Sequence, residues 1–178
     1  IEDTNQKKIK AQAYYWLGYI SLMHEFEIGL AEEYFELVTK TMRSSKFSKK
    51  SKLFLGEIDE YNKVLTEYIF LEQDNPVQKD TIIAEQKLSP NSEPFKEESE
   101  KDSLLFIIAE KLYFDFNQIN LSLEKHKDLV ELFPLSNYIS RSSKIIKKLS
   151  EKNNNFFEIE IIDSLATIRD DAWNKINN

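Results

Sequence analysis

Only three glycines and four prolines punctuate this chain of 178 residues, and Pro76, Pro90 and Pro94 fall in one region. β-rich folds and glycine-lined nucleotide loops depend on positive φ angles, which glycine adopts at least cost. Three glycines cannot furnish them. The tracts flanking the proline cluster are long and nearly free of breakers, which suits helices. The expected class is all-α.

Hydrophobic periodicity supplies the elements. Ile9, Ala13, Trp16, Leu17, Ile20 and Met23 recur at three- and four-residue steps and mark a first amphipathic helix. Phe26, Leu30, Tyr34, Leu37 and Val38 mark a second, and Phe54, Ile58, Tyr61, Leu65, Tyr68 and Ile69 a third. Each stripe needs a partner surface, so the three are expected to pack together as an N-terminal unit, residues 1–73. Residues 74–101 combine three prolines with many charges and few apolar residues. A segment of that composition buries too little surface to offset its ordering entropy, so it is read as a linker or long loop.

The C-terminal unit, residues 102–178, opens at Asp102 or Ser103, either of which suits a helix N-cap. Leu105, Ile108, Leu112, Phe116, Ile119 and Leu123 form one stripe of a fourth helix, which Phe133–Pro134 should end. Leu135, Tyr138, Ile139, Ile145, Ile146 and Leu149 outline a fifth. Beyond Asn153–Asn155, a sixth carries Ile161, Leu165, Ile168, Ala172 and Ile176, and helix is preferred there over a lone strand from Phe157 to Ile161. The total is about six helices.

Chemistry is sparse. No cysteine occurs, which removes disulfides, zinc–thiolate sites and thiol nucleophiles. The two histidines, His24 and His126, lie about a hundred residues apart with no carboxylate at ligand spacing. The acidic pairs, such as Asp59–Glu60 and Asp170–Asp171, read as helix surface, and no serine stands in a Gly-x-Ser-x-Gly elbow. No catalytic residue, metal or cofactor is therefore assigned, and the chain is read as non-enzymatic. A net charge of −7 argues against general nucleic-acid binding. The longest compact apolar run, Leu104–Ala109, is far short of the roughly 20 residues that span a bilayer. The chain opens on Ile1, which is read as a trimmed start.

One segment departs from the acidic average. Between Leu37 and Gly56 there are six basic residues, Lys40, Arg43, Lys46, Lys49, Lys50 and Lys52, and no acid. It is read as a solvated helix–helix loop, and alternatively as a patch that meets an acidic ligand.

Two resemblances give this helical scaffold a direction. Tyr14, Leu17–Gly18 and Tyr34 stand at the spacing of a tetratricopeptide hairpin, with departures at Ser21, Leu30, Leu37 and Met42. The resemblance implies a protein-binding groove lined by the exposed side of the first helix. Tyr15 and Tyr19, off the main stripe, are then the expected contacts, with Lys46, Lys49 and Lys50 at a polar rim. The segment Leu165 to Trp173 is similar to helices of spirochaetal, Borrelia-type envelope proteins that carry a LysM module. That resemblance implies a periplasmic or outer-membrane-associated site, a second envelope protein as partner, and a role in envelope integrity and cell separation. The competing expectation is a cytosolic regulatory or chaperone-like protein that uses the 40–52 segment. Neither fixes the oligomeric state.

Overall fold

A computed structural model of the chain describes residues 4–74 and 94–152. Among them are six α-helices and no strand: α1 Thr4–Ile20, α2 Ile28–Thr41, α3 Lys46–Asp74, α4 Pro94–Phe114, α5 Ile119–Leu132 and α6 Ile139–Lys152. A π-helical turn, Ser21–Glu25, extends α1. The all-α class holds. The described chain divides into two compact units, the first comprising residues up to Lys63 with Phe114–Gln118, the second Val64–Tyr113 and the residues from Ile119 on. The division falls inside α3 rather than at its end.

The first unit is built on a close helix pair. A Cβ on Gly18 of α1 would lie 2.9 Å from two ring atoms of Phe35 on α2, so only glycine admits this approach. Tyr14 and Tyr34 stack alongside, with ring centres 6.3 Å apart. The N-terminal half of α3 completes the core: Phe54 stacks on Phe35 at 5.1 Å, and Phe47 lies 5.2 Å from Tyr15. Aromatic pairs at such separations add attraction beyond the area they bury.

α1 and its π-helical turn end on Phe26, which adopts the left-handed conformation at φ 55°. The Glu27 N–H donates back to the Ser21 carbonyl at 2.8 Å, in the manner of a Schellman closure that usually employs glycine. The Phe26 ring offsets the strain by packing on Tyr61 and Phe116. Phe26 thus closes the helix instead of opening the second stripe. Helix ends leave carbonyl groups without partners, and here the Gln118 side-chain amide donates to the carbonyls of Leu22 and Met23 at 3.3 and 3.1 Å.

The second unit has an aliphatic core of Leu105, Leu123, Leu129, Val130, Ile139, Ile146 and Leu149 with Phe106 and Phe133. Phe106 stacks on Tyr138 at 4.6 Å, and the Ser122 hydroxyl of α5 donates to the Ala109 carbonyl of α4 at 2.8 Å. α4 begins at Pro94, within the region read as linker; a proline at a helix start lacks only an N–H that would have no partner anyway. The expected fourth helix is in fact two. α4 stops at Phe114 and α5 starts at Ile119, with Asn117 left-handed at φ 54° between them. The Phe133–Pro134 break is where expected, since α5 ends at Leu132. Most of the expected linker and the helix expected beyond Asn153, including Leu165–Trp173, lie outside the described residues.

Gly18 and Gly56 should respond oppositely to alanine. Gly56 has nothing within 4 Å of where a Cβ would stand, so Gly56→Ala should stabilise by about 0.5–1 kcal/mol through helix propensity. At Gly18 the Phe35 ring is fully buried, and overpacking, typically about 1–3 kcal/mol, should outweigh that gain. Urea midpoints of the two variants decide it. A stabilised Gly18→Ala would mean that α1 and α2 can separate at little cost.

Candidate interaction surface

α1 is apolar on two sides, and the side that becomes core is not the one its aliphatic count suggests. Ala11, Tyr15 and Gly18 face inward, as does Leu22 in the following turn. The stripe expected to be core faces out: Ile9 is 68% exposed, Trp16 48%, Leu17 43% and Ile20 43%, and Ala13 is exposed with them. The reason lies in the pairing with α2. Close approach selects the side carrying small Ala11 and Gly18, and Tyr15 between them fills the space bounded by Phe35, Phe47 and Phe54. On α2, Leu30 and Leu37, seven residues apart and also expected in the core, are exposed, while Ala31, Phe35 and Val38 face inward. The first unit thus presents an apolar surface on both helices of the hairpin. Contiguous exposed apolar surface with an aromatic anchor marks association sites.

The residues expected to make contacts fare unevenly. Tyr15 is buried, 5% exposed, so the expectation that it offers an open side chain is corrected. Burial, and secondarily Tyr19, pushes its hydroxyl pKa above the usual range. Tyr19 is half-buried, edge-on to Trp16 at 5.7 Å and to Phe54 at 6.1 Å. It borders the exposed stripe without belonging to it.

Lys46, Lys49 and Lys50 are exposed, as is Lys52. They stand on a helix, not on the expected loop, because α3 begins at Lys46. The Ser45 hydroxyl accepts the Ser48 N–H at 3.0 Å and caps that start. Lys46, Lys49, Lys50 and the exposed Leu53 follow i, i+3, i+4, i+7 spacing and so share one face. No acidic residue lies in the first turn, so these lysines add to the positive end of the helix dipole. Lys46 also lies 5.1 Å from the Phe47 ring centre.

A separate polar cluster occupies the second unit. His126 is fully buried, its Nδ1 3.1 Å from the Ser142 hydroxyl, its ring edge-on to Phe106, and its Nε2 without a hydrogen-bond partner. Arg141 covers the same Phe106 ring at 4.9 Å and binds the Glu110 carboxylate at 2.6 Å. Burial, and then the Arg141 charge, lowers the His126 pKa to about 4. The neutral imidazole and Ser142 are both closed to solvent and pack in the interior of the second unit. Among the described residues no three His, Cys, Asp or Glu side chains gather to hold a metal.

Comparison with protein-family models, with curated proteins and with solved structures finds no match. The surface has to be interpreted from its own chemistry.

His126 sets a pH dependence for the second unit. Its folded pKa lies below its ordinary 6.5, so the unfolded chain takes up the proton first. The stabilisation is complete above pH 6.5 and is lost as pH falls toward 4, amounting to about 3 kcal/mol for a depression of this size. Urea titrations from pH 7 to 4 should show a steeper loss for wild type than for His126→Leu. Parallel curves would mean that His126 is solvated in the folded state.

Proposed function

We propose that this chain is a non-enzymatic protein-interaction module whose contact surface is the outward apolar face of α1. The carrying observation is that Ile9, Trp16, Leu17 and Ile20 point away from the core that their own helix helps to form. In this reading the hairpin acts as a tetratricopeptide-like scaffold. Gly18 against Phe35 and Tyr14 against Tyr34 hold its two helices together, and the opposite side of α1 remains open for a partner.

The biological setting we propose is the bacterial cell envelope, at the periplasm or outer membrane, in a complex that supports envelope integrity and cell separation. That part rests on the resemblance carried by Leu165 to Trp173. No described helix is long and apolar enough to cross a membrane. A second reading draws on the lysine face of α3: a cytosolic protein that binds an acidic ligand through Lys46, Lys49, Lys50 and Lys52. The exposure of all four side chains favours it.

Affinity capture from the organism of origin, using the full chain, separates the two readings. A double substitution Trp16→Ala/Ile20→Ser should abolish retention of a specific protein while leaving the denaturation midpoint nearly unchanged, because exposed sites usually shift stability by less than about 0.5 kcal/mol. Lys49→Glu/Lys50→Glu should leave that partner in place and mainly slow association. The reverse pattern would favour the acidic-ligand reading. An unchanged partner set in both variants would place the interface elsewhere.

A further inference from the structure

The outward face of α1 has a period as well as a composition. Ile9, Ala13, Trp16 and Ile20 are separated by four, three and four residues, the a/d spacing of a coiled-coil seam, and all four are exposed. Leu17 widens the seam on one side. A surface with this repeat is shaped for another helix, because knobs at that spacing enter the holes of a helix lying nearly parallel to it.

We infer that the helix which fills this seam is α1 of a second copy of the chain, running antiparallel. This deepens the interaction-module reading proposed above and rests on it. The volumes support self-pairing. In an antiparallel seam, a positions face d positions, which sets Ile9 opposite Ile20 of the second copy and Ala13 opposite Trp16 of the second copy. The two-fold axis repeats both pairs, giving four layers. The smallest side chain of the stripe thus meets the largest, the large–small alternation that lets facing layers interdigitate. A parallel pair would instead set Trp16 on Trp16 and leave a gap between two alanines.

The charges select the same direction. Residues 2–10 carry Lys7, Lys8 and Lys10 against Glu2 and Asp3, a balance of +1, and no acid lies within α1, while exposed Glu25 and Glu27 follow its end. Antiparallel pairing brings the lysine end of each copy toward the glutamate end of the other. Parallel pairing would bring lysines against lysines, a like-charge contact that interfaces avoid. The result is an isologous, self-complementary contact of the kind that closes a dimer.

The absence of cysteine makes the test direct. Ile9→Cys and Ile20→Cys are prepared in the full chain, singly and mixed in equal amounts, and oxidised. The inferred layers join position 9 of one copy to position 20 of the other, so the mixture should give disulfide-linked dimer and neither variant alone should. Two copies of position 9 would stand about 16 Å apart along the axis, beyond disulfide reach. Sedimentation of the unmodified chain should show a concentration-dependent dimer, and Trp16→Glu should raise its dissociation constant at least tenfold.

Cross-linking of either single variant alone would overturn the antiparallel register. A chain that stays monomeric at all concentrations would overturn the self-pairing. If it is monomeric and the position-9 thiol also resists alkylation in the native state, the face is covered within one copy, which overturns it too. Should the chain be monomeric while Trp16→Ala/Ile20→Ser still abolishes capture of a different protein, the interaction-module reading survives and the self-pairing does not. If neither association depends on these residues, both fail.

Discussion

The contact between Gly18 and the Phe35 ring decides how the first unit is put together. A helix can present only one side to a neighbour at such short range, and on α1 that side must contain Gly18 and Ala11. Tyr15 lies between them and is carried into the core, where Phe35, Phe47 and Phe54 surround it. Once Tyr15 is inside, Ile9, Ala13, Trp16 and Ile20 are turned outward by helical geometry alone. The exposed stripe is therefore the other side of the close approach.

A chain with so few glycines must end its helices by other means. Phe26 and Asn117 adopt left-handed conformations that glycine would enter more cheaply. Asn117 is the conventional substitute, because its short amide tolerates this region. Phe26 is not, and its ring contacts with Tyr61 and Phe116 supply the compensation. Gln118 then donates to two carbonyls at the end of the first helical segment from a position some 95 residues further along the chain. Local breakers are replaced here by long-range contacts, which makes these ends depend on tertiary structure more than helix ends usually do.

That dependence explains what the sequence could and could not reveal. The stripe of α3 was legible where it continues the first unit: Ile58 and Tyr61 are buried as their spacing requires. The end of α5 was legible because proline acts locally. The end of α4 was not, since Leu112, Phe116 and Ile119 keep helical phase across a turn that is not helical. Only Asn117 carried a local signal. The lysines at Lys46, Lys49 and Lys50 hid a helix because their charge suggested a loop, although Phe47, Ser51, Phe54 and Ile58 already repeat at helical steps. For α1, ranking faces by aliphatic content misplaced the core, and with it Tyr15. Ala11 and Gly18, seven residues apart, were the contrary signal, because small residues at that spacing mark where a neighbouring helix comes close.

The two units fill their interiors differently. In the second unit aliphatic side chains fill the interior, and its buried polar groups include His126, held neutral against Ser142. Its α6 keeps the charged Arg141, Lys144, Lys147 and Lys148 outside or half-outside. In the first unit aromatic rings interlock around buried Leu22, Val38 and Ile58, with Ile9, Trp16, Leu17 and Ile20 outside, and the second unit in turn exposes Ile69, Phe70, Ile107, Leu121 and Leu135. Apolar surface contributes roughly 25 cal/mol for every Å² withdrawn from water. In α1 that contribution is still to be gained, and only an apposed surface can realise it. The hairpin is thus complete as a folded pair while the outward face of α1 keeps apolar surface in water, the surface that the proposed partner would cover.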